Sequence, residues 1–125
     1  MPKPILVVED ETQVRSLLNV MFTDLGFEVI EAKDGTAALS ELWKRRGSVS
    51  MLVTDVDMGR MNGLELAESV RSQYPGVPIL FISGLPMPAA ELEQVAPGAI
   101  FITKPFDVAT VTAAVRKLIP TASGG

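Results

Sequence analysis

The chain has 125 residues, room for one domain with a real core but not for two. Hydrophobic residues make up 47% and charged residues 21%, which excludes a disordered chain, and no apolar run reaches the about 18 residues of a membrane span. Net charge is −4, and the absence of cysteine and histidine excludes disulfides, thiol chemistry, a histidine base, a phosphohistidine of its own and an imidazole-built zinc site.

Ile5–Val8 reads as a first strand, entered directly from Met1-Pro2-Lys3-Pro4 with no signal-peptide apolar region, so a cytoplasmic setting is expected. From Glu11 to Leu25, residues Val14, Leu17, Leu18, Met21, Phe22 and Leu25 recur at three- and four-residue spacing. That pattern predicts one buried stripe of an amphipathic helix, with Asp10 as N-cap and Gly26 closing it. Phe27 to Ala32 alternates as a short strand. Asp34-Gly35 turns into a second helix with Ala37, Ala38, Leu39 and Leu42 inward and Gly47 at its end. The basic trio Lys44-Arg45-Arg46 falls in its last turn, where cations suit the helix dipole. That reading is preferred to nucleic-acid contact, and no membrane contact is expected either.

Met51–Thr54 is the third strand, followed by a loop rich in Met and Gly from Val56 to Asn62. A third helix is predicted from about Gly63 to Tyr74, ended by Pro75-Gly76. Ile79–Ile82 forms the fourth strand. Pro86 and Pro88 can sit only before a helix or in its first turn, so the next helix is short, from about Ala89 to Val95. Ile100–Thr103 is the fifth strand and Val108 to about Leu118 the last helix. Residues 1–120 then make one domain, with 121–125 as a disordered tail. Five apolar strands alternating with helices predict an α/β fold: a parallel sheet with right-handed crossovers and helices on both faces.

Three of the apolar runs end in charges that a buried strand would not choose: Glu9-Asp10, Asp55 and Lys104. The fourth strand ends at Ser83-Gly84. In an open parallel sheet the carboxyl ends of neighbouring strands meet along one edge, where ligands bind. Three carboxylates, an ammonium and a hydroxyl converging there suit a hard cation and a phosphoryl group, and the oxygen donors suit Mg²⁺. Each residue alone has a plainer reading: Glu9 and Asp10 as the start of a helix, Asp55 in a turn, Ser83 at a strand exit, Lys104 as a solvated charge. Their order at successive strand ends makes the set specific. An aspartate carboxylate is a competent nucleophile toward phosphorus, and transfer needs positioning and charge neutralisation more than a base.

Ile-Leu-Val-Val-Glu-Asp-Glu at 5–11, Thr-Asp-Val-Asp-Met at 54–58 with Met61-Asn62-Gly63, Ile82-Ser83-Gly84 and Lys104-Pro105-Phe106 together resemble the receiver domain of two-component response regulators, from residue 4 to about 119. The resemblance implies a flavodoxin-like, doubly wound five-stranded sheet of order 2-1-3-4-5 with Asp55 as phosphoacceptor. It implies Mg²⁺ held by Glu9, Asp10, Asp55 and the backbone carbonyl of Asp57. Lys104 would contact the phosphoryl oxygens, Ser83 would move onto the phosphate, Phe101 would change rotamer with it, and Pro105 would follow a cis bond. The implied partners are a sensor histidine kinase or histidine phosphotransfer domain as donor, and a downstream protein. Val14, Leu17 and Met21, beside Pro105-Phe106, form the expected rim over which the donor reaches Asp55; a core role fits Leu17 and Met21 equally.

Some positions depart from the commonest pattern. Gly59 replaces a frequent proline, and Asp57 and Leu85 occupy positions that influence hydrolysis of the phosphoryl group in this family. The fourth helix carries no basic residue, which argues against a charge-paired dimer through it. Phe81-Ile82-Ser83-Gly84 and Lys104-Pro105-Phe106-Asp107 are similar to hybrid-kinase receivers, and a stand-alone regulator fits as well. Two other classes compete. One is a Mg²⁺-dependent aspartyl phosphatase of the haloacid dehalogenase type, suggested by Asp55-Val56-Asp57 but opposed by the order of the motifs. The other is a phosphate-independent pseudo-receiver, opposed by the intact acidic pair, Asp55 and Lys104.

Overall fold

Alternate residues of the apolar strands point to opposite sides of one parallel sheet, and each side is covered by helices. The computed structural model describes residues 3–57, 61–84 and 89–119. The expected tail at 121–125, Gly59 and Leu85 lie outside them. The elements are β1 (Ile5–Val8), α1 (Thr12–Asp24), β2 (Val29–Ala32), α2 (Gly35–Lys44), β3 (Met51–Thr54), α3 (Gly63–Gln73), β4 (Ile79–Ser83), α4 (Ala89–Val95), β5 (Ile100–Thr103) and α5 (Val108–Leu118). The sheet order is β2-β1-β3-β4-β5, all pairs parallel, as the family resemblance implies.

Ile5 and Val7 of β1 join Met51, Val53, Leu80 and Ile82 on one face, under Leu18, Met21 and Phe22 of α1 and Val111, Ala114 and Val115 of α5. Leu6, Val8, Leu52, Ile79 and Phe81 face the other way, under Ala38 and Leu42 of α2 and Leu66, Ala67 and Val70 of α3. Phe22 and Phe81 are wholly buried, one per layer. Truncating either to alanine belongs with core losses of about 3–5 kcal/mol.

The register aligns the strand ends. Val8 lies beside Thr54, and Ser83 beside Thr103. The residues after β1, β3 and β5 therefore emerge along one edge, which is what gathers the site.

Two expectations about α1 need correction. Asp10 is not its N-cap. Glu11 occupies that position with no side-chain cap, while the Glu9 carboxylate accepts the Glu11 N–H at 3.1 Å. Leu17 is not in the buried stripe but 51% exposed. At 3.6 residues per turn it sits about 100° around the helix from Leu18, at the margin of the inward arc. Helix α2 opens as expected, with the Asp34 side chain accepting the Ala37 N–H at 2.8 Å. Helix α3 opens on a reciprocal capping box between Asn62 and Glu65.

Candidate functional site

β1 delivers Glu9 and Asp10, β3 delivers Asp55, and β5 delivers Lys104 to the carboxyl edge of the sheet. One carboxylate oxygen each from Glu9, Asp10 and Asp55 lies within 4.8 Å of the others. Glu9 and Asp55 are buried, whereas Asp10 is exposed. The Lys104 ammonium bridges the two buried acids, donating to Glu9 Oε1 at 3.0 Å and Asp55 Oδ2 at 2.6 Å. The other Asp55 oxygen accepts the Asp57 N–H at 3.0 Å, so the carboxylate is held from both sides. Its backbone is held too: the Asp55 N–H donates to Val8 O at 3.2 Å, and the Thr54 hydroxyl donates to the Asp55 carbonyl at 2.9 Å.

Burial pushes the Glu9 carboxyl up to about 7, despite the opposing Glu11 N–H and Lys104 ammonium; Asp10 and Asp55 add to the rise. At Lys104 burial acts downward, but hydrogen bonds to Asp55 and Glu9 outweigh it and raise the ammonium above its ordinary range. Lys104 is therefore charged at any ordinary pH. Its contribution to stability is present up to its unfolded value and lost only in strong alkali.

Three carboxylates against one ammonium leave the cluster short of positive charge, and a hard divalent cation supplies it. The donor set fits Mg²⁺. Its residues are Glu9, Asp10 and Asp55. Asp57 is exposed next to them, its N–H already committed to Asp55.

Ser83 is buried at the end of β4, and its carbonyl accepts the Lys104 N–H at 2.8 Å. Phe101 lies opposite Phe81 in the β4–β5 pair and is half-buried against the core layer that Phe81 belongs to. The Lys104–Pro105 peptide bond is cis.

Two residues of this neighbourhood have roles that the sequence reading does not give. Arg15 donates through Nη1 to the Glu9 carbonyl at 2.8 Å and through Nε to Glu31 Oε1 at 2.9 Å, while Asn19 Nδ2 donates to the other Glu31 oxygen at 2.7 Å. The first helix thus grips the backbone of the acidic pair from behind. Gly63 is the second: its N–H donates to Val56 O at 2.7 Å, and a Cβ there would run into the Asp55–Val56 backbone. The one-turn spacing of Arg15 from Glu11 carried no sign of a backbone target.

Residues 5–116 match the family described as the response regulator receiver domain, and the chain belongs to it. The domain's work is therefore Mg²⁺-dependent phosphoaspartate chemistry of the receiver type, in which the domain phosphorylates and dephosphorylates itself. That sets aside the phosphatase alternative, whose acidic motifs would also come in the opposite order. The chain is 32% identical over 124 residues to the chemotaxis protein CheY homolog of Campylobacter jejuni, covering 96% of this chain and 95% of that one. It is 32% identical to the nitrogen assimilation regulatory protein NtrX of Azorhizobium caulinodans, covering 86% of this chain and 24% of NtrX. Among solved structures, the response regulator TrrA of Thermotoga maritima in complex with Mg²⁺ and BeF superposes with TM-score 0.83 at 27% identity, covering 94% of this chain and 99% of that one. The chain spans between about a quarter and a half of the length of the first curated relatives it matches. Receiver domains as a class work with histidine kinases or phosphotransfer domains and with downstream effectors. Among the described residues no helix is long and apolar enough to cross a membrane.

Proposed function

We propose that Asp55 is the phosphoacceptor, taking its phosphoryl group from a phosphohistidine on a separate kinase or phosphotransfer domain. The observation that carries this is the Asp55 carboxylate itself: buried at the end of β3, with one oxygen on the Lys104 ammonium and the acidic pair of β1 beside it. An Asp55 oxygen attacks phosphorus, the P–N bond to the donor imidazole breaks, and the imidazole leaves with the bonding pair and takes up a proton. Lys104 neutralises charge on the transferring oxygens. Mg²⁺, held by Glu9, Asp10, Asp55 and the Asp57 carbonyl, would supply the remaining neutralisation. A donor charged from ATP would meet the domain in the cytoplasm, the setting that belongs to this reading.

Incubation with acetyl phosphate and Mg²⁺ should add one acid-stable, base-labile phosphoryl group, and borohydride trapping should place it at position 55. Asp55→Asn should not label. Labelling of that variant at the parent's rate would remove Asp55 from the role.

The donor's approach is read from exposed apolar side chains. Leu17 and Val20 on α1 are 51% and 56% exposed, and Val108 at the start of α5 is 61% exposed. Met21, expected on this rim, belongs to the core, and Val14 is half-buried. Of the expected rim, Leu17 therefore stays in the docking surface for a donor helix and Met21 drops out of it. Leu17→Lys should slow transfer from a cognate phosphohistidine protein by about tenfold or more, the cost of losing an interface anchor. Labelling by acetyl phosphate should not change. Equal slowing with both donors would mean damage at Asp55 and no docking role.

The signal leaves through Ser83 and Phe101. Phosphate at Asp55 adds strong acceptor oxygens at the strand ends, which draw the Ser83 hydroxyl, and Phe101 repacks behind it. The surface altered is that of β5 and α5, where Phe101, Ala109 and Ala113 line a shallow groove of about 410 Å³. A downstream partner reads that surface. Ser83→Ala should still label at Asp55, yet show much smaller beryllofluoride-induced chemical-shift changes at Phe101. A full-sized response in the variant would break the coupling.

A further inference from the structure

At the other edge of the sheet, the starts of β1, β3 and β4 meet the C-termini of α2 and α3. Two grooves of about 630 and 270 Å³ adjoin there, sharing Arg46 and Tyr74 in their walls. Lys3, Lys44 and Arg46 line them along with Trp43, and no carboxylate does, although acids outnumber bases 15 to 11 in the chain. Trp43, the chain's one tryptophan, is 76% exposed. Large indoles are mostly buried, and one kept in water between cations resembles a binding anchor.

The helix dipole accounts for cations in the last turn of α2, but not for the exposed indole beside them. The left-handed backbone beyond α2 is that helix's own C-terminal stop, in which the Gly47 N–H donates to Leu42 O at 2.8 Å. Arg46 has φ of 55°, left-handed and unfavourable for a side chain with a Cβ, and Gly47 follows at 75°. The Tyr74 ring packs where a Gly47 Cβ would stand, so this turn and the tyrosine form one surface. The cations are unpaired or only loosely held. Lys44 reaches Glu41 only at 4.0 Å, and Lys3 and Arg46 make no ion pair with a described residue.

We propose that this groove binds an acidic segment of a partner protein, its carboxylates paired with Lys44 and Arg46 and an apolar side chain laid on Trp43. Residues 1–2, 58–60, 85–88 and 120–125 contain no aspartate or glutamate, so none of these segments is the acidic occupant. A short acidic peptide is favoured over nucleic acid, since an extended polyanion would meet a chain of net charge −4 beyond this patch. The groove lies at the amino ends of the strands and the acidic cluster at their carboxyl ends, so docking is independent of phosphorylation.

Trp43 reports on its own site. A short synthetic peptide of alternating Glu and Phe should change the tryptophan emission saturably, with an affinity that falls as salt rises. The same sequence with Lys for Glu, and single-stranded oligo(dT), should leave the emission unchanged. Lys44→Glu with Arg46→Glu should weaken binding by about tenfold or more, about 1.4 kcal/mol, while acetyl phosphate still labels Asp55 as in the parent. That labelling also certifies the fold; Lys44→Glu alone, at an exposed helical position, should weaken binding about threefold. Beryllofluoride should not alter the peptide's affinity. No saturable change in the parent, an equal response to the Lys peptide, oligo(dT) bound as tightly, or undiminished affinity in the charge-reversed variants would each overturn the proposal.

Discussion

Replacing Lys104 with methionine should slow labelling by acetyl phosphate by at least about 100-fold and, at the same time, tighten the protein's hold on Mg²⁺. The first effect is the loss of a positioned charge on the transferring oxygens, which in comparable sites is worth about 10²–10³ in rate. The second follows from competition. In the metal-free protein the Lys104 ammonium occupies one oxygen each of Glu9 and Asp55, two of the three acids a cation would use. Methionine keeps the apolar stem and removes the charge, leaving two buried carboxylates with no counter-ion. Removing one partner of a buried pair costs about 3–5 kcal/mol, and the partial exposure of Lys104 places this case near the lower end. Mg²⁺ should restore much of that loss, so its addition should raise the melting temperature of the variant more than that of the parent.

Glu9 sets the pH window of the same titration. Its carboxyl stands at about 7 in the folded protein against 4.5 unfolded, so the folded form holds this proton more tightly. Its contribution favours folding below about pH 4.5, is lost as pH rises toward 7, and stays lost above. Cation binding needs the carboxylate, so Mg²⁺ should bind more weakly near pH 6 than near pH 8, with proton release on binding. Glu9→Gln should flatten that dependence. A Lys104→Met protein with weakened Mg²⁺ affinity, or one that labels normally, would contradict the competition.

The sheet was legible because its signals are local and redundant. Ile5–Val8, Met51–Thr54 and Ile79–Ser83 are apolar on both faces, as central parallel strands must be, and each ends in or runs straight into a polar residue at the same edge. Charge in a place where burial is expected is a strong signal, and it found Glu9, Asp10, Asp55 and Lys104 together. What stayed hidden depends on direction, which spacing alone does not encode. Leu17 and Leu18 are equivalent as letters, yet one faces solvent and the other the core. Trp43 counts as apolar in composition and stands in water. Arg15 reads as a surface charge until the chain folds and its guanidinium meets a carbonyl six residues back. Asp10 has the chemistry of an N-cap, but Glu9 reaches the Glu11 N–H first and leaves Asp10 facing out.

A single methyl group at Gly63 should slow phosphorylation of Asp55 by about 100-fold. A Cβ built there collides with the Asp55 carbonyl oxygen and comes within 2.9 Å of both the Asp55 carbonyl carbon and the Val56 Cα. All three are backbone atoms of the segment that carries the nucleophile, so no flexible side chain can swing aside. The start of α3 cannot retreat easily either, because the Asn62–Glu65 capping box and the Gly63 N–H bond to Val56 O hold it in place. The strain must move Asp55, and a displacement of about 1 Å at a reacting group is enough for a 10²-fold loss. Overpacking of this kind also costs about 1–3 kcal/mol of stability, so Gly63→Ala should unfold at lower urea with an unchanged slope. Gly76 is the control. It has nothing within 4 Å of its own ideal Cβ, and Gly76→Ala should fall within about 0.5 kcal/mol of the parent and label normally. The pattern Met61-Asn62-Gly63 marks the glycine without a reason; the reason is the touch of α3 on the acceptor's backbone. If Gly63→Ala labels at the parent's rate, that touch does not position Asp55.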